Sequence, residues 1–264
     1  MFKFISFGSG SCGNCYYIYT EHDGLLIDVG VGTRSLKKHF GDYGLHMPGG
    51  FSSILVTHDH ADHIKSVGSL SKKLNLPVYA TRLVHSGMDN NYCMKLKLAQ
   101  ENRHYVVKGE AFEASGFHIT PFGVPHDSSD NVGYSIEYEG VVFTLLTDVG
   151  HITEEMKAII RNTDYLVIEA NYDLQMLQNG PYPRHLQERI QCGTGHLSNA
   201  QCGAALVENY TERLKHIWLC HLSEENNHPE LARKSIEQAL SDAGIKVKLD
   251  VLRRKQPTGV FELV

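Results

Sequence analysis

No stretch of the chain approaches the roughly 18 consecutive apolar residues that a membrane-spanning helix requires, so no membrane anchor is expected. The opening MFKFISFGSGSCGNC breaks off its apolar run at the glycines, too early for a signal peptide. Cysteine is sparse: six residues are scattered over 264, and Cys12 and Cys15 form a C-x-x-C with no second pair. Free thiols in a reducing cytoplasm fit that usage better than a disulfide framework. Positive charge is also short, with 25 Lys and Arg against 30 Asp and Glu and a net charge of -5. That excludes a surface coated for non-specific nucleic-acid binding. It leaves room for an anionic substrate, because a bound metal pair inverts the local field. Low-complexity tracts, long charge runs and Pro/Gly/Ser linkers are missing too. Nothing divides the chain, so a single domain over 1–264 is expected. With 42% hydrophobic residues it can bury a sizeable core. What is abundant is histidine, 16 residues of it, the side chain most used as a metal ligand.

The chain echoes itself. YYIYTEHDGLLIDVG (16–30) has the grammar of a hairpin, an alternating strand, an Asp23-Gly24 turn and a second strand. YSIEYEGVVFTLLTDVG (134–150) repeats it, turning at Glu139-Gly140, and the two close on LLIDVG and LLTDVG. Each is followed by a helix-like stretch and an apolar run, SSILVT in one half and TDYLVIEA in the other. Two such halves would stack sheet on sheet with helices outside. The expected fold is a four-layered αββα sandwich of the α+β / α/β class, with two mixed β-sheets and helices on the outer faces. Helices are expected over 62–74, 153–161 capped by Thr153, 198–215 capped by Ser198, and 229–243 between Pro229 and Gly244. KVKLDVL and GVFELV read as strands closing an edge.

The chemistry concentrates in ILVTHDHADHI (54–64). A strand running into a loop aims His58 and His60 the same way, because alternate residues share a side. Asp59 then points away. Asp62 and His63 open a helix from an adjacent position, so four N and O donors converge. Buried together without a shared partner, three neutral histidines would be hard to satisfy by hydrogen bonds; a metal resolves this. Four donors begin two metal sites but do not complete them.

THDHADH resembles the signature of the metallo-β-lactamase superfamily, whose αββα sandwich matches the duplicated halves. The resemblance implies that His126 in PFGVPHDSS, Asp148 in LLTDVG and His221 in IWLCHLSEEN complete the set. One ion would be held by His58, His60 and His126 and the other by Asp62, His63 and His221, with Asp148 bridging. Asp28, in the echoing LLIDVG, matches a position that supports the site without ligating, and His151 is a further supporting candidate. Cys220, next to His221 on a strand, should face the other way.

A paired-metal site lowers the pKa of water from 15.7 towards roughly 7, so hydrolysis by an activated hydroxide is the expected reaction. The two ions are divalent: imidazole suits zinc, and carboxylates with phosphoryl chemistry also admit manganese. Glu169 in DYLVIEANYD and His196 in GTGHLSNAQ would form a carboxylate-oriented acid able to protonate a poor leaving group. The pair is similar to the Glu–His pair of the phosphodiesterase branch typified by the tRNA 3′-processing nucleases. Asp62, Glu169 and His196 are therefore the expected catalytic set, Asp62 doubling as a ligand. GSGSCGNCYYI, EANYD, GPYPRHLQERI, GHLSNAQ and HLSEENNHPELA, together with the metal motif, resemble the YycJ/WalJ (VicX) family over nearly the whole chain. That resemblance implies a metal-dependent 5′-to-3′ DNA exonuclease linked to DNA repair and acting on DNA ends or single strands, with RNA not excluded. Tyr182 with Arg184, and Arg253, Arg254 and Lys255, are candidates for gripping it, and Asn14 in the glycine loop for touching it. Two alternatives stay open: hydrolysis of a small ester, thioester or lactam, and a metal-binding regulatory or scaffold role.

Overall fold

The structure, a computed structural model, describes residues 1–47 and 49–264. Its first half runs β1 (Phe2–Gly8), β2 (Cys15–Tyr19), β3 (Gly24–Ile27), α1 (Thr33–Asp42), β4 (Ser53–Leu55), α2 (Ala61–Ile64) and α3 (Val67–Leu74). It continues through β5 (Val78–Ala80), α4 (Arg82–Asn90) and β6 (Arg103–Tyr105). The second half holds β7 (Phe112–Ala114), β8 (Phe117–Gly123), β9 (Val132–Tyr138), β10 (Val141–Leu146), α5 (Glu154–Arg161) and β11 (Tyr165–Glu169). Then come α6 (Leu174–Asn179), α7 (Arg184–Gln191), α8 (Asn199–Asn209), β12 (His216–Cys220), α9 (Pro229–Asp242), β13 (Lys248–Val251) and β14 (Phe261–Leu263).

The strands form two seven-stranded sheets, β14-β1-β2-β3-β4-β5-β6 and β13-β12-β11-β10-β9-β8-β7. Each is mixed in the same way. β14 through β3 pair antiparallel and β3 through β6 parallel; β7 through β10 pair antiparallel and β10 through β13 parallel. The sequence echo is this duplication. LLIDVG and LLTDVG end β3 and β10, the strands where pairing changes sense, and both aspartates adopt left-handed backbone, φ 59° at Asp28 and 55° at Asp148. β13 and β14 close edges, but of different sheets: the last strand crosses back to complete the first sheet.

Strand alternation builds three apolar seams, as two faces per strand require. Phe4, Tyr16 and Ile18 meet Phe117, Tyr134, Phe143, Val167 and Trp218 between the sheets. Leu36, Phe40, Val67, Val84 and Met88, from the helices, cover Ile5, Leu26 and Ile54 of the first sheet. Met156, Ile160, Leu206 and Ile236 cover Leu146, Leu166 and Ile168 of the second. In β11, Tyr165 and Val167 face one seam and Leu166 and Ile168 the other. These are the four αββα layers.

Local expectations fare unevenly. Thr153 caps α5 by accepting from Met156 N, Ser198 and Gln201 form a capping box on α8, and Gly244 (φ 72°) follows α9. The turn Glu139-Gly140 lies in left-handed backbone between β9 and β10. Gly24 is already in β3, paired with Tyr19, so the first hairpin turns through the four residues Thr20–Asp23 rather than through Asp23-Gly24. The helix expected over 62–74 is two. Val29 N donates to the His63 carbonyl and the Ser66 N–H to the Val29 carbonyl, which takes both groups out of the helical ladder. The helix expected over 198–215 stops at Asn209, where the chain turns so that Lys215 N reaches the Asp164 carbonyl and β12 lies beside β11. Among the described residues no helix is long and apolar enough to cross a membrane.

Candidate metal centre

The C-terminal ends of β3, β4, β8, β10, β11 and β12 lie on one rim of the sandwich and deliver the polar residues of the site. Asp28 follows β3, Thr57 and His58 follow β4, and α2 carries Asp62 and His63. His126 follows β8, Asp148 β10, Glu169 ends β11 and His221 follows β12. His221, like the two aspartates, has left-handed backbone, φ 53°. Each such residue costs about 1–3 kcal/mol unless its surroundings enforce it, and here the bend turns a strand-end side chain back over the rim.

The structure brings together the seven residues the sequence pointed to as metal ligands. His58, His60 and His126 form one group of converging donor atoms and Asp62, His63 and His221 another, each within 4.8 Å. Asp148 lies between them, Oδ2 being 3.2 Å from His63 Nε2 while Oδ1 is 3.7 Å from His126 Nε2 and 3.5 Å from His221 Nδ1. Asp59 faces away, accepting from Ser129 N and Oγ at 3.1 and 2.7 Å. Cys220 points into the seam between the sheets. His151 is exposed and bonds the Gly193 carbonyl at 2.7 Å, outside the cluster. Cys12 lies on the surface and Cys15 in the core, so the C-x-x-C does not act as a unit.

The donor chemistry fits cations. His126 Nδ1 donates to the Gly195 carbonyl at 3.0 Å and His60 Nε2 to the Asp127 carbonyl at 3.2 Å. Their other nitrogens carry lone pairs, and these face each other at 3.3 Å. His58 Nε2 is buried with no hydrogen-bond partner among the described residues. Burial and the neighbouring His63 hold His58 well below the usual histidine pKa, and burial lowers His126. Three imidazoles thus turn ring nitrogens without hydrogens on one another, an arrangement that repels unless a cation sits among them. In the second group burial opposes charge on His63, yet Asp148, Asp28 and Asp62 push its pKa well up. A field that holds a proton there holds a divalent ion more strongly.

Buried partners fix the orientations of these donors. Asp28 Oδ2 accepts from His63 Nδ1 at 2.7 Å and from Thr57 Oγ1 at 2.8 Å, and Thr57 Oγ1 lies 3.0 Å from His58 Nδ1. One carboxylate therefore orients a donor in each group. Asn14, fully buried, donates from Nδ2 to Asp62 Oδ2 at 3.1 Å, and its backbone N–H bonds the Asp62 carbonyl. It touches the ligand set rather than the cavity. Asn171 Nδ2 donates to the His221 carbonyl at 2.8 Å.

Glu169 and His196 meet: His196 Nδ1 donates to Glu169 Oε1 at 2.7 Å. The same oxygen takes His221 Nδ1 at 3.2 Å, and Oε2 accepts from Val149 N and Leu197 N at 2.9 and 3.1 Å. Four N–H groups occupy this carboxylate, so it orients two imidazoles. Burial raises the Glu169 pKa, but His196 and His221 outweigh it and lower the value; burial lowers His196, but Glu169 and Asp148 raise it overall. His196 opens on a cavity of about 330 Å³ shared with His60, Asp62, Asp148 and His221.

Sequence reasoning missed the other cavity wall. Arg189, at its mouth, donates to Asp127 Oδ2 at 2.6 Å. Both residues sit inside or beside segments already singled out, but only the fold joins them. Tyr182, a candidate for gripping substrate, lines the cavity. Arg184 does not; its side chain is 92% exposed and pairs with Glu188 one helical turn on. Arg254 donates to the carbonyl of Ser223, a residue lining the cavity, and Lys255 pairs with Glu224.

A sandwich of this topology with two donor groups on its rim defines a class, and a family model described as a beta-lactamase superfamily domain matches residues 25–217. Within it, the chain is 34% identical over 239 residues to "Exodeoxyribonuclease YycJ" of Bacillus anthracis, covering 90% of this chain and 89% of that one. It is 34% identical over 249 residues to "Exodeoxyribonuclease WalJ" of Streptococcus pneumoniae, covering 94% and 92%. The chain belongs to this YycJ/WalJ family of the beta-lactamase superfamily. Among solved structures, Zn(2+)-bound PqqB from Methylobacterium extorquens shares the fold, with a TM-score of 0.73 at 18% identity over 97% of this chain and 99% of that one.

Proposed function

We propose that the protein, acting as a single domain over residues 1–264, is a metal-dependent 5′-to-3′ DNA exonuclease. The observation that carries this reading is the Glu169–His196 pair at 2.7 Å, opening on the same cavity as both donor groups. His58, His60 and His126 would hold one divalent ion, Asp62, His63 and His221 the other, and Asp148 both. Zinc or manganese in these positions would polarise a phosphoryl oxygen and lower the pKa of water. The rest falls to the chain's own groups. Asp28, Thr57 and Asn14 hold the ligands in place. Glu169 takes the Nδ1 proton of His196 in a hydrogen bond and supports a second proton on Nε2, which His196 delivers to the departing sugar oxygen. That proton matters for an alkoxide and hardly at all for a thiolate, which favours a phosphodiester over a thioester. The names of the two relatives support DNA as substrate, and the six free cysteines suit the cytoplasm. DNA repair is the setting the family likeness implies.

The test uses 5′- and 3′-labelled DNA and RNA with metal-stripped protein given back zinc or manganese. Loaded protein should shorten 5′-phosphorylated DNA, and Asp148→Ala should not. Absence of release from every nucleic acid, alongside turnover of a thioester, would replace the nuclease reading with hydrolysis of small molecules.

A further inference from the structure

The cavity beside the metal centre has one wall that the catalytic reading leaves unexplained. Tyr182, Leu186, Arg189 and Ile190 line it from one short segment. Leu186 and Ile190 stand four apart on α7, hence on one helical face, and Arg189 is three from Leu186 on the same side. These apolar residues join none of the three main seams. They pack in a small separate cluster with Tyr172 and Leu177. Pro181 and Pro183 flank Tyr182, restricting its backbone on both sides. Gln187 Nε2 also donates to the Tyr182 carbonyl at 2.9 Å. The backbone that carries the ring therefore has little freedom to lose, and the ring packs against the small cluster beside the cavity.

Arg189 is the one Lys or Arg among the residues lining this cavity. Its Nε is engaged by Asp127, while both Nη groups are without protein acceptors among the described residues. The side chain is 60% exposed, at the mouth rather than in the wall. Asp127 follows His126 and its carbonyl holds His60, so the free guanidinium edge is tied to the first donor group. A rigid aromatic face beside a two-donor cationic edge matches a base and its phosphate.

We propose that this wall is a nucleotide subsite, in which Tyr182, backed by Leu186 and Ile190, stacks a base at the end of a single strand while the free Nη groups of Arg189 take a backbone phosphate. The proposal rests on the phosphodiester reading of the metal centre and adds the recognition of a single-stranded end to it.

Two measurements on the manganese-loaded protein test it. Single-stranded oligonucleotides ending either in a normal nucleotide or in an abasic residue are compared by KM and by fluorescence anisotropy. Base stacking is worth about fivefold to a hundredfold in affinity, so the abasic end should bind the wild-type protein more weakly by about that factor. Tyr182→Ala should erase the difference. Tyr182→Leu, which keeps the apolar bulk, should erase it as well, and Tyr182→Phe should keep it. Arg189→Ala should lower the slope of log affinity against log salt by about 0.7, one phosphate contact on a single strand. Melting temperatures identify any variant that fails to fold. Equal weakening on both kinds of end by Tyr182→Leu, or an unchanged salt slope in Arg189→Ala, would overturn the subsite. If the wild-type protein cleaves neither DNA nor bis(p-nitrophenyl) phosphate, the hydrolase reading falls separately. Anisotropy then still decides: discrimination between the two ends, lost in Tyr182→Leu, supports the subsite, and its absence ends it.

Discussion

The acids around His63 and His221 set up a field that some cation must answer. Burial opposes charge on His221, but Asp148, Asp62 and Glu169 overcome it and lift its pKa to about 10. In protein stripped of metal, a proton answers the field at neutral pH. Histidine ligates only as the neutral imidazole, so an incoming ion must expel that proton. An unfolded histidine titrates near about 6.5, so the folded state gains stability from the protonated form. That gain is complete below about 6.5 and is lost as pH climbs towards about 10. Stripped protein should therefore lose stability over this window while metal affinity rises. Titration calorimetry at pH 7 in two buffers of different ionisation enthalpy should register protons released as zinc binds; no release would contradict the field inferred for His221. His196 has a different signature. His196→Gln should slow DNA hydrolysis by about 10²–10⁴, the usual worth of a general acid. It should slow bis(p-nitrophenyl) phosphate far less, since p-nitrophenolate departs without a proton. Equal losses on the two substrates would remove His196 from the role of acid.

Elements decide which of these residues can be found from sequence alone. His58, His60, Asp62 and His63 were legible because strand and helix periodicity place them within six positions. His126, Asp148 and His221 stand far apart in the chain, and only a family likeness joined them. Asp127 and Arg189, 62 positions apart, carry no such likeness and waited for the fold. The break between α2 and α3 was hidden for the same reason, since Val29, which causes it, comes from the end of β3. At that junction two backbones nearly touch. A Cβ on Gly30 would stand 1.5 Å from the Asp62 carbonyl oxygen and 2.8 Å from Asn14 N, and neither backbone atom can rotate aside. Gly30→Ala should cost about 3 kcal/mol in urea unfolding, at the upper end for overpacking, and should weaken metal binding because Asp62 must move. Gly41→Ala, in α1 with no atom within 4 Å of its new Cβ, should instead stabilise by about 0.5–1 kcal/mol. Similar effects at the two positions would mean that the contact of Gly30 with Asp62 is not tight.

On the scale of the molecule, the donors come from both sheets. His58, His60, Asp62 and His63 belong to the first, and His126, Asp148 and His221 to the second. Ions among them would fasten the two sheets at the rim, whereas the three apolar seams hold the layers together elsewhere. Folding and metal binding should then be linked but separable. Protein stripped with EDTA should keep its far-ultraviolet circular dichroism, because no seam depends on an ion. It should melt lower, since an ion that binds only the folded state stabilises it by about 4 kcal/mol at a thousand times its Kd. For a protein of this size each kcal/mol moves Tm by about 2–4 °C, so the shift is on the order of 10 °C and should reverse when zinc or manganese is restored. Asp148→Ala, whose carboxylate lies between the groups, should melt at nearly the same temperature with and without metal. A wild-type Tm indifferent to EDTA and to added metal would mean that the rim does not hold ions, and His58 Nε2, buried and without a partner among the described residues, would then need another explanation.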